Sequence, residues 1–108
     1  MIYAVHLTDS ASADLQEIDS YITASDTIER ANYVLDNLEE AVQSLAEFPD
    51  RGHFPAELLS IGIQDYREIE WKTYRVIYRI EGQNVSVYVI ASARRDFQAL
   101  LQRRLLSQ

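Results

Sequence analysis

The sequence contains no cysteine among its 108 residues. Disulfide scaffolds, zinc–thiolate sites and cysteine nucleophiles are therefore excluded as explanations of its fold or chemistry. Histidine is almost as scarce, because His6 in a predicted strand and His53 in a predicted loop are the only two. Neither has a carboxylate or a second histidine at the spacing of metal ligands, so we predict no metal site and no cofactor.

Long apolar runs and chain-breaking residues are also rare. No stretch approaches the roughly 18 apolar residues of a membrane-spanning helix, and the first residues lack the pattern of a signal peptide. We therefore expect a cytoplasmic protein with no membrane contact. Only three glycines and two prolines interrupt the chain. This length without a linker or repeat predicts a single domain over residues 1–108.

Acidic and basic residues are unevenly distributed along the chain. Residues 1–65 hold 13 acidic and 2 basic side chains, whereas residues 66–108 hold 4 acidic and 8 basic ones. The net charge of −7 hides this division. An acidic N-terminal part and a basic C-terminal part fit a protein with two kinds of partner. They also fit a protein whose two parts each have an ordinary solvated face, and charge alone does not separate these interpretations.

Apolar periodicity predicts two helices in the first half. A short strand over residues 2–7 precedes a helix capped within residues 8–10. Asp26 and Glu29 form the capping-box pattern of a second helix, which Pro49 ends. The short link between the helices predicts an antiparallel hairpin. The first helix buries a stripe with helical spacing, made of Ala11, Leu15, Ile18 and Ile22.

The second half has the pattern of a β meander followed by a helix. After a loop over residues 49–65, with a turn of helix at Glu57–Ser60, strands are predicted at residues 66–71, 74–80 and 85–91. A Gly82-Gln83 turn sets the register of the last two strands. Residues 93–106 are predicted to be helical, with an apolar side made of Phe97, Leu100, Leu101 and Leu105.

That register divides the strands between two faces. The apolar face expected against the helical hairpin consists of Ile69, Trp71, Val76, Tyr78, Val87 and Val89. The opposite, outer face consists of Arg75, Ile77, Arg79, Ser86, Tyr88 and Ile90. The element order β-α-α-β-β-β-α then predicts an α+β fold, with an antiparallel sheet covered by helices on one face. The sequence leaves open which edge the first strand joins.

Arginines form the most unusual constellation. Arg75, Arg79, Arg94 and Arg95 lie on or just after neighbouring strands, close to Tyr66 and Tyr88. Arginine forks bind phosphates and carboxylates, so this group fits an RNA or an acidic peptide. Local pairing is the other interpretation, because a two-residue turn at Lys72-Thr73 would place Glu70 opposite Arg75.

Several motifs in this order resemble the RelE/ParE toxins of type II toxin–antitoxin systems. They are the opening strand with LTDSASADLQEI, the segment LAEFPDRG, the strand YRVIYRI, the EGxxV turn, and a strand running into RRD and a leucine-rich helix. The resemblance covers nearly the whole chain. It implies an N-terminal strand, a helical hairpin, a three-stranded antiparallel meander and a C-terminal helix.

The resemblance also implies a function. Toxins of this family are held inactive by a cognate antitoxin protein, and contact with DNA comes only through the antitoxin. RelE-like members cut mRNA on the ribosome, whereas ParE-like members poison DNA gyrase without catalytic machinery. A third alternative is a remnant that binds antitoxin but has lost toxicity.

The family's nuclease residues are only partly present. Arg75 and Arg95 match arginines of the ribosome-dependent members and are the catalytic residues expected if the chain is a ribonuclease. The family's late tyrosine falls at Leu101 and its histidine at Ser92. The strand that carries lysines in those members carries carboxylates instead, Glu68 and Glu70. No general acid or base is evident, so the sequence favours the ParE branch.

The outer sheet face is the predicted antitoxin-binding surface. An antitoxin tail of alternating apolar and acidic residues would bury the former and pair the latter with arginines. We expect this surface to contain Arg75, Ile77, Arg79, Tyr88 and Ile90. The target, DNA gyrase, is expected to contact the basic residues Arg94, Arg95, Arg103 and Arg104.

Overall fold

The computed structural model describes residues 2–106 and confirms the predicted order of elements. Within these residues there are four strands and four helices: β1 Ala4–Leu7, α1 Asp9–Ser25, α2 Ile28–Gln43, α3 Ala56–Leu59, β2 Arg67–Trp71, β3 Tyr74–Glu81, β4 Asn84–Ser92 and α4 Phe97–Leu101. There are also 3-10 turns at Ser44–Ala46 and Pro49–Arg51 and a π-helical turn at Gln102–Leu106. No helix within residues 2–106 has the length and apolar character needed to cross a membrane.

Threonine side chains begin both long helices. The Thr8 hydroxyl accepts a hydrogen bond from the backbone N–H of Ala11, and the Thr27 hydroxyl accepts one from Arg30. Such caps satisfy helix N–H groups that have no partner within the helix. The prediction that Asp26 caps α2 is wrong by one residue, because Asp26 ends α1 instead and donates its backbone N–H to Ile22.

The sheet has the order β1-β4-β3-β2, and β1 runs parallel to β4. The placement of β1, which the sequence left open, is therefore at the β4 edge, and it makes the sheet mixed. The predicted antiparallel meander of β2, β3 and β4 is confirmed. The prediction of helices on one face is wrong, since α1 and α2 cover one face while α3 and α4 pack on the other.

A bulge in β4 alters the predicted register. Gly82, at φ +64°, begins the two-residue turn as predicted, and Ile80 pairs with Val85 and Tyr78 with Val87. Tyr88 is then an extra residue, so Val76 pairs with Ile90 rather than with Val89. A bulge of this kind exchanges the two faces for every residue beyond it. The prediction that Val89 faces the helical hairpin is therefore wrong.

Two apolar cores lie on opposite sides of the sheet. The larger one joins α1 and α2 to the sheet and contains the predicted Ile69, Val76, Tyr78 and Val87, with Trp71 partly buried at its margin. The smaller core lies under α3 and α4, where Ile77 and Val89 meet the predicted apolar side of α4. The exposed outer face expected from the sequence is therefore mostly covered.

The Tyr78 hydroxyl joins the sheet to the loop before α3. It donates a hydrogen bond to the Pro49 carbonyl at 2.5 Å and accepts one from the Gly52 backbone N–H at 3.1 Å. Burial raises the pKa of Tyr78, so the hydroxyl stays protonated and able to donate. A Cβ at Gly52 would lie 2.2 Å from this hydroxyl oxygen, so the close approach requires glycine.

Candidate functional site

Arg75 bridges two carboxylates on the outer face of the sheet. Its terminal nitrogens bind both oxygens of Glu57 in α3, at 2.9 and 2.8 Å. Its Nε and one terminal nitrogen bind the two oxygens of Glu68 in β2, at 3.1 and 2.5 Å. Glu70 is the residue opposite Arg75, as predicted, but forms no ion pair with it. The predicted local pairing of Arg75 is thus confirmed, but its partners are Glu57 and Glu68 rather than Glu70.

The aromatic ring of Phe97 covers this ion-pair cluster. Phe97, the first residue of α4, lies with its ring centre 4.0 Å from the Arg75 guanidinium carbon. The Arg75 side chain is only 12% exposed and that of Glu68 only 2%. The hydrogen bonds that Arg75 donates to Glu57, and then those it donates to Glu68, raise the pKa of Arg75 further above its ordinary value. Arg75 is therefore a permanently charged link between β3, β2, α3 and α4.

A second ion pair covers the exposed edge of β4. β1 ends opposite Val87, so the next part of β4 has no strand on that side. Asp14 of α1 accepts the Ile90 backbone N–H at 3.0 Å, and Arg104 donates to the Tyr88 carbonyl at 2.9 Å. Arg104 also pairs with Asp14, whose side chain is 4% exposed. These two side chains form the hydrogen bonds with the β4 backbone that a neighbouring strand would otherwise form.

The predicted antitoxin-binding residues are divided between surface and core. Ile77 is fully buried in the smaller core, so its expected exposure is wrong. Ile90 is buried in the larger core, because the bulge turns it to the opposite face. Arg75 is enclosed by its partners. Of the five predicted residues, only Arg79 and Tyr88 remain accessible on the outer face.

Arg79 and Tyr88 share a small aromatic surface with Tyr66. The two tyrosine rings meet edge to face at 5.4 Å, and the Arg79 guanidinium lies 5.8 Å from the Tyr66 ring. Asp65 and Glu81 approach Arg79 only to 3.9 Å, at the margin of ion pairing. Arg79 is thus loosely held. We call this surface, made of Tyr66, Arg79 and Tyr88, the outer patch.

The predicted target-binding arginines differ in availability. Arg94 and Arg95 are exposed in the turn after β4, and Arg103 is exposed in the C-terminal π-helical turn. Arg104 is occupied by Asp14 and the Tyr88 carbonyl. The predicted nuclease pair is divided as well, because Arg95 is exposed whereas Arg75 is enclosed beneath Phe97.

His53 has acidic neighbours that the sequence spacing did not indicate. An isolated bridge between His53 and Glu68 brings the His53 ring and the carboxylates of Glu68 and Glu70 within 4.8 Å of one another. This donor set resembles a metal site, yet both oxygens of Glu68 already accept hydrogen bonds from Arg75. The Glu68 carboxylate is therefore committed to the ion-pair cluster.

Sequence reasoning missed an aromatic and cationic group at the tip of the β2–β3 hairpin. Trp71 and Tyr74 stack there, Tyr33 of α2 lies beside them, and the Lys72 ammonium lies over two of the rings. The sequence predicted only a turn at Lys72-Thr73 between two strands. The usable signal was a lysine at a position where a two-residue turn commonly demands glycine or asparagine.

Several solved structures share this fold. The chain aligns with a chain of the chromosomal ParDE system of P. aeruginosa, with TM-score 0.69, 18% identity and coverage of 84% of this chain and 96% of that one. A chain of the RelBE2 toxin–antitoxin complex of Mycobacterium tuberculosis aligns with TM-score 0.56 and 22% identity, covering 85% and 92%. A variant of the E. coli toxin RelE in the free state aligns with TM-score 0.63 and 16% identity, covering 97% of this chain and 100% of that one.

The sequence itself identifies the family. The family model described as ParE toxin of type II toxin-antitoxin system, parDE, matches residues 5–97. No curated protein sequence matches the chain. The chain belongs to the ParE toxin family of type II toxin–antitoxin systems.

Proposed function

We propose that this toxin inhibits DNA gyrase by binding it and is neutralised by a cognate antitoxin. Membership of the ParE family supports this function. The observation that carries it is the state of Arg75, the arginine that a RelE-like nuclease would direct at the cleaved phosphate. Its guanidinium is bound by two carboxylates and covered by Phe97, so it offers little free surface to a phosphate.

The surroundings of Arg75 also disfavour the nuclease alternative. Glu70, exposed on β2 directly opposite Arg75, adds negative charge beside the guanidinium, and this charge would repel a phosphate. A general base needs a pKa near the working pH. Burial instead raises the pKa of Tyr88, one of the two tyrosines on the outer patch. A binding mechanism requires none of these groups to transfer a proton.

Gyrase inhibition gives a direct test. We expect the purified toxin to inhibit supercoiling by DNA gyrase, and induced cells to filament while translation continues. Arg94→Ala with Arg95→Ala should weaken inhibition, because both side chains are exposed and cationic. Arg51→Ala is the matched control, since Arg51 is an exposed arginine that hydrogen-bonds Ser44 elsewhere on the molecule. Rapid translational arrest with codon-positioned mRNA cuts would instead establish the RelE-like alternative.

The outer patch is the proposed anchor for the antitoxin. Interfaces concentrate their binding energy in a few aromatic and arginine residues. Arg79 is held only by marginal ion pairs, so it can turn toward a partner carboxylate at small cost. Its neighbours Tyr66 and Tyr88 offer an aromatic surface for apolar side chains. The outer patch thus still offers a cation beside apolar surface, which is the combination that the sequence predicted for antitoxin binding.

Replacing Arg79 and Tyr88 together by alanine should weaken the antitoxin complex. We expect a loss of at least about 2 kcal/mol, roughly 30-fold in Kd, as is usual for anchor residues. The measurement is a calorimetric titration of the toxin with its antitoxin, with circular dichroism to establish folding. Arg51→Ala should bind like the unsubstituted toxin. A folded double variant with unchanged affinity would exclude the outer patch as the docking surface.

A further inference from the structure

A second surface lies away from the outer patch, between α1 and the tip of the β2–β3 hairpin. Two adjoining hollows of about 700 and 350 Å³ share four lining residues, Tyr21, Thr73, Tyr74 and Arg94. The smaller hollow is also lined by Trp71 and Lys72, and the larger by the part of β4 at Ile90–Ser92. We call the combined hollow the Trp71 cleft. It shares no residue with the outer patch.

Four cationic side chains line this cleft. Arg30, Lys72, Arg94 and Arg95 all contribute to its walls. Within residues 2–106, none of them forms an ion pair, whereas Arg75, Arg79 and Arg104 all do. Arg51, Arg67 and Arg103 also form no ion pair within these residues, and what distinguishes the four cations is that they line one hollow. Such a group creates a positive potential that attracts an anionic ligand.

Aromatic rings hold two of these cations in place. The Lys72 ammonium lies 5.6 Å from the Trp71 ring centre and 5.9 Å from that of Tyr33, and the Arg30 guanidinium lies 5.2 Å from Tyr33. The Trp71 and Tyr74 rings are nearly parallel, with their centres 6.4 Å apart. Cation–π contacts of this kind leave the charge available to an incoming anion. The cleft therefore combines flat apolar surface with prepositioned positive charge.

The backbone at Lys72 points to the same site. Lys72 has φ 52° and is the only non-glycine residue within residues 2–106 with a positive φ. Side chains with a Cβ disfavour this left-handed region, and strained positions cluster at functional sites. Glycine would adopt the same turn without strain. A lysine at this position is explained when its ammonium group serves in the cleft.

We propose that the Trp71 cleft binds an acidic segment of a protein partner. Carboxylates of that segment pair with Lys72, Arg30 and Arg94, and an apolar side chain of the segment lies against the rings of Tyr21 and Tyr74. The cleft shares Arg94 and Arg95 with the surface proposed to contact gyrase, so the proposal is tested by peptide binding in the absence of gyrase. The outer patch remains available to the antitoxin.

The acidic residues of the cleft favour a protein over a nucleic acid. Glu17 and Asp26 form an acidic wall on the α1 side of the cleft, where Asp14 is buried in its pair with Arg104. A nucleic acid carries a charge at every nucleotide, and the acidic wall and the net charge of −7 would repel it. A peptide can place its carboxylates on one edge only and present an uncharged side chain to the acidic wall. Charge complementarity thus selects an alternating acidic and apolar segment.

Trp71 is the only tryptophan, so its fluorescence reports occupancy of the cleft. The probe is a short tryptophan-free peptide of alternating glutamate and leucine, titrated into the whole toxin. We expect a saturable change in Trp71 emission that weakens as salt is added, because exposed charges are screened. The comparison arms are the same peptide with lysine in place of glutamate and an oligothymidine strand, neither of which should saturate the signal.

Charge variants separate the cleft from general attraction. Lys72→Glu and Arg94→Glu should each weaken peptide binding by about 10-fold or more. Arg103→Glu makes the same charge change at an exposed site outside the cleft and should have a much smaller effect. Lys72→Gly keeps the turn without strain, so it should lose affinity while melting at an unchanged or higher temperature.

Three results would overturn the proposal. The first is the absence of a saturable signal with the acidic peptide. The second is an equal loss of affinity in Arg103→Glu and Lys72→Glu, which would reduce the effect to net charge. The third is tighter binding of the oligothymidine strand, which would make the cleft a nucleic-acid site. None of these results depends on whether the toxin inhibits gyrase, so the two proposals fail separately.

Discussion

Arg75→Met is expected to lower the free energy of unfolding by about 3–5 kcal/mol, the usual cost of removing one partner from a buried ion pair. The substitution keeps much of the side-chain volume but leaves the Glu68 carboxylate, 2% exposed, without its counter-charge. It also removes both hydrogen bonds to Glu57 and the stacking on Phe97, which hold α3 and α4 against the sheet. Equilibrium denaturation by urea measures the change.

Two further variants show whether the buried charge is the cause. Arg79→Met removes an arginine of the same strand that is 40% exposed and has only marginal ion pairs, so its cost should stay below about 1 kcal/mol. Adding Glu68→Gln to Arg75→Met removes the uncompensated charge and should restore about 1–3 kcal/mol, as coupled neighbours do. If Arg75→Met costs no more than Arg79→Met, the ion-pair cluster does not hold the outer helices.

The same result bears on the function of Arg75. A residue kept for phosphate chemistry would affect activity while leaving stability largely unchanged. A structural link would instead affect stability first, and toxicity only through the loss of folded protein. Measuring gyrase inhibition per folded molecule of Arg75→Met therefore separates the two roles. The ParE interpretation expects unchanged specific inhibition at a temperature where the variant is still folded.

Much of the fold follows from local signals in the sequence. The Gly82-Gln83 turn, the apolar stripe of α1 and the leucine side of α4 were all predicted because turns and helical periodicity depend on residues close in the chain. The capping residue of α2 was missed by one position. Asp26 and Thr27 are both good caps, and the choice depends on how α1 ends rather than on propensity alone.

The faces of β4 could not be predicted beyond Tyr88. Alternation assigns Val89 and Ile90 correctly only if no extra residue intervenes, and nothing in the run VSVYVIA marks one. The bulge exchanges the two residues between cores. The prediction of an exposed Ile77 failed for another reason. Whether an apolar face is open depends on the packing of α3 and α4, which are far away in the sequence.

The partners of Arg75 show the same limit at the candidate site. The strand register places Glu70 directly opposite Arg75, as the sequence predicted. The partners chosen are instead Glu68, its diagonal neighbour on the same face, and Glu57, which lies in a separate helix. A guanidinium can reach several carboxylates, and burial decides among them. Burial by α3 and α4 is a tertiary property that no local pattern contains.

Asp14→Ala is expected to lower the free energy of unfolding by about 2–4 kcal/mol, because it removes an acceptor and a counter-charge at one buried point. The Ile90 N–H, which donates to Asp14 at 3.0 Å, would lose its partner next to the larger core. Arg104 would keep the Tyr88 carbonyl but lose its carboxylate. Denaturation by urea gives the size of the loss, and amide hydrogen exchange at Ile90 gives its location.

Matched variants distinguish the lost acceptor from the lost charge. Asp14→Asn keeps an oxygen that can accept the Ile90 N–H, so it should preserve slow exchange at that amide while still losing stability through the charge. Arg104→Ala leaves the Asp14 carboxylate buried without a cation and should cost about as much as Asp14→Ala. Arg103→Ala, in the same turn but exposed, should change stability by less than about 0.5 kcal/mol. Equal, small effects of Arg103→Ala and Arg104→Ala would mean that the C-terminal turn is not fastened to the β4 edge, and that the edge is satisfied by Asp14 alone.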